Sequence, residues 1–427
     1  MDVTAEANRR GVLAQRDFRL LLVGETASGL GNGITTVALP LVAVLVLGAT
    51  ALEVGLLAAA VWLPWLVVGL PAGAWVDRLP RRRIMIVCNL VSATMYASVP
   101  VAGWLDALTL IHLFAVAVVC GTSAVFFNTA CHAYVPVVLA RRDLADGNAK
   151  LQVSEAGTRV LGRSAAGFTA QVLGATVGLL LDALTFLVST VCLLGIHTRE
   201  ERPARRAEAS SLVGEVAVGL RFLSHDPYLR PLVIYGATLN LLLMGYQAVQ
   251  VVFLVRTVGV GAGAVGLLVM CASLGGVLGA LLATRLCRRW GDARALVLTQ
   301  AVACPFALLL PLTGPGPRLL SFAVGAFVLG VGVAVGNVVV GTFRQTYCPP
   351  ALLGRVSSAS MATNQGTIAI GSALGGVLGS AIGLRPTLWV LTAPLALTWL
   401  LVAFSPVGRT RELPRAAVPA AEAGSPR

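Results

Sequence analysis

The chain has 427 residues, of which 57% are hydrophobic and only 12% charged, with a formal net charge of +13. Soluble domains carry about 25% charged residues, so this composition cannot cover a water-facing surface and excludes a soluble globular protein. The basic excess does not point to nucleic acid either, because the arginines are dispersed over separate loops and build no single patch.

Apolar runs near the length that crosses a bilayer follow one another along the chain. They predict helices over about 18–46, 52–76, 84–104, 109–136, 151–173 and 175–196. A second set of six follows at about 231–256, 264–287, 294–313, 317–343, 356–382 and 386–406. The first run is too long for a cleavable signal and is expected to stay as helix 1. Between the halves, 197–230 carries Arg202-Pro203-Ala204-Arg205-Arg206. Leu212, Val216, Leu220 and Leu223 recur there at helical spacing and predict a short amphipathic helix on the membrane surface. After Ser405 a Pro-, Ala- and Glu-rich tail reads as disorder. The expected organisation is an N-terminal segment 1–17, a six-helix bundle 18–196, a linker 197–230, a second bundle 231–406 and a tail 407–427. The fold class is an all-α membrane protein of twelve transmembrane helices.

Arginines collect at every second gap between the runs: Arg9, Arg10 and Arg16; Arg78, Arg81, Arg82 and Arg83; Arg141 and Arg142 with Lys150; Arg199 to Arg206; Arg285 to Arg294; Arg344 and Arg355; Arg409 to Arg415. The opposite gaps hold only Arg256, Arg318 and Arg385 beside Glu53 and Asp106. A Lys/Arg excess marks the cytoplasmic side, so both termini are expected inside the cell, with the loops touching anionic lipid. The eight cysteines are scattered without a CxxC pair or a nearby His cluster, and neither disulfide nor metal is expected.

The halves repeat each other. Val54-Gly55-Leu56-Leu57 recurs as Val265-Gly266-Leu267-Leu268, and at the same offset the basic turn Gly73–Arg83 falls on Thr284–Arg294. Gly162, Gly167 and Gly174 recur as Gly371, Gly376 and Gly383. Small residues every fourth position, Gly371 to Gly383 on helix 11 and Gly162, Ala166, Ala170 and Gly174 on helix 5, let helix backbones approach closely in lipid. Two similar six-helix bundles with a site between them is the architecture of alternating-access carriers.

The segment Gly73-Ala-Trp-Val-Asp77-Arg78-Leu-Pro80-Arg81-Arg82-Arg83 resembles the signature loop of the major facilitator superfamily. Arg16-Asp17-Phe18-Arg19-Leu20, the Gly31-Asn32-Gly33 turn and Leu63-Pro64-Trp65 are similar to the drug and siderophore exporters of that superfamily. The resemblance implies two bundles related by a pseudo-two-fold axis and a gate at Gly73, Asp77, Arg78 and Arg82. Asp77 would cap the positive N-terminal end of helix 11. The chain departs from the pattern at Pro80, where glycine is usual, at Arg288, where an acid would sit, and around Gly121, which lacks the helix 4 arginine of proton-coupled exporters.

Charges at bilayer depth are costly and mark candidate sites. On helix 1, Glu25, Asn32 and Thr36 share one face, expected to look into a wet cavity. Helix 5 carries Glu155, Arg159 and Arg163 at i+4 steps, with Arg163 near the midplane and Glu155 and Arg159 read as a structural pair. Asp182 lies two turns below the outer face on helix 6. Glu25 and Asp182 are the proton-coupling candidates, because burial favours the protonated carboxyl that a proton carrier needs. Asn128 and His132 on helix 4, Asn240 and Gln247 on helix 7 and Asn337 on helix 10 complete the candidate cavity set.

These features together predict a secondary transporter, expected as a monomer in the inner membrane, that exports a small amphiphilic drug-like molecule against an inward proton flow. No GxxxxGK[ST] supports ATP drive, no cofactor is expected, and the absence of GxSxG and HExxH leaves little basis for an enzyme. The alternatives are a uniporter or importer in which Arg163 binds an anionic substrate such as a siderophore, or a lipid-handling membrane enzyme.

Overall fold

The computed structural model describes residues 12–76, 78–140, 143–198, 200 and 220–414. Of the sequence features above, Asp77, the surface-helix positions Leu212 and Val216, and the arginines at 9, 10, 141, 142, 199, 202, 205, 206 and 415 lie outside the described residues. Among the described residues twelve long helical columns follow in chain order: α1 (Arg16–Leu45), α2 (Ala51–Val67, continued as Gly69–Val76), α3 (Arg81–Trp104), α4 (Leu110–Val138), α5 (Leu144–Val172) and α6 (Ala175–Leu194). The second six are α7 (Leu229–Val252, ending in a wide turn Phe253–Val258), α8 (Ala262–Trp290), α9 (Asp292–Ala303, tightening into Cys304–Leu309), α10 (Leu319–Tyr347), α11 (Pro350–Ala381) and α12 (Leu384–Leu397, continued as Trp399–Ala403).

Local chemistry explains where these columns start and bend. Thr50 opens α2 with a reciprocal cap, its Oγ accepting the Glu53 N–H while Glu53 Oε2 accepts the Thr50 N–H at 2.7 Å. Pro64 withholds a hydrogen bond from α2, which breaks four residues later at Val68. Pro305 does the same to α9 where it tightens. Gly48 and Gly259 each stand six residues ahead of the repeated Val-Gly-Leu-Leu, and both turn the chain with a positive φ, 64° and 78°. Sequence repeat and backbone repeat therefore coincide.

Among the described residues nine helices are long and apolar enough to cross a membrane by themselves. The exceptions are α2, which is broken, and the repeat mates α5 and α11, which are too polar. Helices α5 and α11 also begin about six residues earlier than hydropathy predicts, because a polar start such as Asp146, Asn148 and Lys150 marks the end of the bilayer and not the end of the helix.

By internal contacts the chain forms two compact units, residues 1–207 with 248–270, and residues 208–247 with 271–427. In the first, α1 packs between α5 and α6, α3 against α4 and α6, and α2 against α4. The α1–α5 crossing is backbone on backbone: a Cβ on Gly162 would meet the Leu30 carbonyl at 2.5 Å and Gly33 Cα at 2.8 Å. In the second unit α11 crosses α7 in the same way, with Gly375 facing the Gly245 carbonyl. The segment 248–270 is held in the first unit by Gly266 against Gly167 and by the Arg256 guanidinium donating to the Gly48 carbonyl at 2.8 Å.

At the Arg-rich end of the first unit the chain leaving α6 folds back over the start of α3. Glu200 accepts the backbone N–H groups of Arg81 and Arg82, both at 2.7 Å, and Arg82 donates to the carbonyls of Leu193 and Leu194 at 2.7 Å. Two helix ends with orphan groups are thus closed by one acid and one base. Asp17 accepts the N–H groups of His197 and Thr198 and the Thr198 hydroxyl. Beneath this clamp lie Phe18, Met85, Tyr134 and Leu193, all buried. Glu200→Ala should lower the thermal midpoint in detergent by several degrees, since such a cap contributes about 1–2 kcal/mol; an unchanged melt would show that the clamp adds nothing. The second unit repeats the fold-back, with the Arg411 carbonyl accepting the Arg294 N–H at 3.4 Å. Val407 and Leu413 are buried there, so 406–414 is packed where composition pointed to disorder, and 415–427 lies outside the described residues. Its few apolar side chains find partners that composition alone does not reveal.

Candidate functional site

Exposed surface in the first unit is of two kinds. Along α6 it is apolar, with Leu184, Leu187, Val188, Val191 and Leu194 open, as suits contact with lipid. Along α1, α4 and α5 it is mixed: Asn32, Thr36, Asn128, His132, Glu155 and Arg159 are all exposed, and so are apolar side chains such as Val23, Ile111, Leu161 and Phe168. Polar groups facing hydrocarbon are costly, which makes these exposed polar side chains the candidate site residues.

Glu25 is half-buried at the edge of that face, hydrogen-bonded to the thiol of Cys131 on α4 and within electrostatic reach of Glu155 on α5. One residue further, the hydroxyls of Thr26 and Ser154 meet at 2.6 Å and fasten α1 to α5. Thr36 and Asn128 donate to carbonyls of their own helices, Asn32 and Ala124, both at 2.8 Å. His132 follows Cys131 and lies open. Glu155 and Arg159 form an ion pair on the exposed face of α5, a setting in which the pair adds little stability. Arg163 is half-buried one turn further, its carbonyl close to Gly266.

Asp182 occupies a different environment. It is 0% exposed, and the hydroxyls of Thr35 on α1 and Thr185 on α6 donate to its two carboxyl oxygens. Gly31 makes room for it: a Cβ there would sit 1.9 Å from Asp182 Oδ1 and 2.1 Å from Thr185 Oγ1. Tyr96 and Cys120 lie within electrostatic reach, and the thiol of Cys120 is hydrogen-bonded to Tyr96 and Ser92. The two candidate acids are thus a half-buried one and a sealed one.

In the second unit Asn240 on α7 donates through Nδ2 to Asn364 Oδ1 on α11. Gln247 is half-buried and Asn337 exposed on α10. In the signature loop Gly73 is half-buried at the end of α2 and Arg78 is exposed, while Arg82 holds the end of α6. Sequence reasoning named Gly31 only as part of a turn and passed over Thr35 and Thr185 around Asp182, Cys131 beside Glu25, and Glu200. Thr35 could have been found, because it stands beside Thr36, already named on the polar face of helix 1.

The description Major Facilitator Superfamily matches residues 21–365 and again 235–426, so the match spans both halves. The chain belongs to the Major Facilitator Superfamily. It is therefore a multi-pass membrane transporter of small molecules. Across 94% of its length this transporter is 30% identical to a protein of Mycolicibacterium fortuitum named multidrug efflux pump Tap, 98% of which is covered. It is also 27% identical, over 92% of its length, to the protein of the same name from Mycobacterium tuberculosis, strain H37Rv, 94% of which is covered. Among solved structures it shares its fold with a bacterial homologue of the iron transporter ferroportin in the inward-facing state (TM-score 0.74, 17% identity, 92% of this chain and 98% of that one). The nucleoside transporter NupG, as its D323A mutant, is similar at a TM-score of 0.75 and 12% identity, covering 90% of this chain and 99% of that one.

Proposed function

We propose that this transporter exports small amphiphilic, drug-like molecules by alternating access, driven by inward proton flow, as a monomer in the cytoplasmic membrane with both termini inside the cell. The observation that carries the reading is its likeness, from end to end, to relatives named as multidrug efflux pumps. The polar faces of α1, α4 and α5 and the amides of α7 and α10 support it as surfaces that a substrate can wet. The alternation of Arg-rich and Arg-poor loops supports the orientation. In this reading Glu25 and Asp182 are the proton-coupling acids, and Gly73, Asp77, Arg78 and Arg82 shape the gate.

Export and coupling are tested together in inverted membrane vesicles. A fluorescent cationic dye should accumulate when a pH gradient is imposed, and a protonophore should return accumulation to that of vesicles lacking the protein. Uptake that survives collapse of the gradient would remove proton coupling, and no uptake across a panel of antibiotics and dyes would remove the drug-like substrate class.

A further inference from the structure

Tyr235 on α7 is 2% exposed, yet among the described residues its hydroxyl meets no hydrogen-bonding group. Across from it stands Gly336 on α10. A Cβ built on Gly336 would lie 3.6 Å from the Tyr235 hydroxyl and 2.9 Å from Nε2 of Gln300 on α9. Gln300 is itself only 1% exposed. One of its amide protons goes to the Gly332 carbonyl at 2.7 Å, its Oε1 accepts the Cys304 thiol at 3.3 Å, and Cys304 receives the Thr398 hydroxyl of α12 at 3.5 Å. Gln300 Nε2 and the phenol hydroxyl therefore both lie beside the same bare stretch of α10.

The first half carries the same station. Asn89 on α3 stands to Gln300 at the offset that relates Val54 to Val265, and Ser189 on α6 stands to Thr398 at the offset that relates Gly174 to Gly383. Asn89 donates to the Ser189 hydroxyl oxygen at 2.9 Å, is 1% exposed, and leaves its Oδ1 without a partner. An amide on the third helix of each half, a hydroxyl on the sixth, and one orphan polar atom beside them thus recur. An unpaired polar group in an apolar interior is costly, and native interiors satisfy such groups with ordered water when protein cannot reach them.

We propose that each half holds an internal water at this station, bound in the second half by the Tyr235 hydroxyl and the second amide proton of Gln300, over Gly336. Water is the ligand that fits: the groups it must serve include donors and acceptors, and a buried water ordinarily makes two to four hydrogen bonds. The water ties α7 to α9, which Gln300 in turn fastens to α10 through the Gly332 carbonyl. It thereby fixes the helix that presents Asn240, five residues beyond Tyr235. The inference is independent of the export reading, because it rests on packing alone.

The test is a double-mutant cycle on the full-length protein, read by thermal unfolding in detergent. Tyr235→Phe should lower the midpoint by about 2 °C in the wild-type background. In the Gln300→Leu background, where the water has lost its other anchor, the same change should cost clearly less. A Tyr235→Phe protein that melts at or above the wild-type temperature, or one that loses the same amount in both backgrounds, overturns the proposal. Should Gln300→Leu fail to fold, a map that resolves waters decides: density within about 3.2 Å of both Tyr235 Oη and Gln300 Nε2 supports the site. Well-ordered side chains with no such density, or Tyr235 bonded to a protein carbonyl, overturn it.

Discussion

Glu25→Gln is expected to abolish accumulation driven by a pH gradient in inverted vesicles while leaving exchange of labelled for unlabelled substrate across the membrane intact. The reasoning rests on access. A carboxyl that trades protons with either compartment must meet water in at least one state of the carrier. Glu25 sits at the edge of a polar, open face beside Cys131 and Glu155, whereas Asp182 is enclosed and already holds two hydroxyls. Glutamine keeps the size and hydrogen-bonding capacity of the side chain and removes only the exchangeable proton, so exchange that needs no net proton movement survives. Asp182→Asn should be the milder change, since an amide oxygen can still accept from Thr35 or Thr185. The opposite ranking, with Asp182→Asn inactive and Glu25→Gln fully driven, would leave Asp182 alone as the coupling acid and remove Glu25 from the role.

The number and order of the helices were legible in the sequence because bilayer thickness imposes a length and the arginines impose a side. Helix ends were less legible: α5 and α11 run on beyond the apolar stretch, and nothing in hydropathy distinguishes a helix that continues in water from a loop. The small-residue repeats were legible as packing stripes, and the Gly162–Gly33 and Gly375–Gly245 approaches show what they are for. Partners across helices were not. Thr35 and Asp182 are 147 residues apart, and only the fold brings them together. Glu200 was hidden for another reason, since in a charge-rich linker one acid looks like any other.

The repeat also shows where the halves diverge. Glu155 on α5 corresponds to Asn364 on α11, and Arg163 to Ser372. Arg159 corresponds to Ile368, so the charges of the first half are replaced in the second by an amide, an aliphatic side chain and a buried hydroxyl, with Asn364 bonded to Asn240. A charged group is expensive to hold at bilayer depth and an amide much less so. Confining ionisable groups to one half leaves the other to make neutral hydrogen bonds that do not change with protonation. In the proposed cycle proton chemistry then belongs to α1, α5 and α6, and α7, α10 and α11 can serve neutral parts of varied substrates.

Gly31→Ala is expected to be among the most damaging single-methyl changes in the protein. The new Cβ would fall 1.9 Å from Asp182 Oδ1 and 2.1 Å from Thr185 Oγ1, distances no real contact shows, so α1 and α6 must separate or Asp182 must leave its two hydroxyl partners. Overpacking of this kind costs about 1–3 kcal/mol, and unseating a buried carboxyl adds to it. The midpoint of thermal unfolding should fall by several degrees and the yield of folded protein with it. Because the obstacles are the tips of two identified side chains on α6, the damage should be repairable from the other side: Gly31→Ala combined with Asp182→Ala and Thr185→Ala should melt higher than Gly31→Ala alone, even though the two α6 changes by themselves remove the hydrogen bonds around Asp182. A triple variant that melts at the sum of the separate losses would show that Gly31 does not share one space with Asp182 and Thr185, and the close packing of α1 on α6 at this level would have to be redrawn.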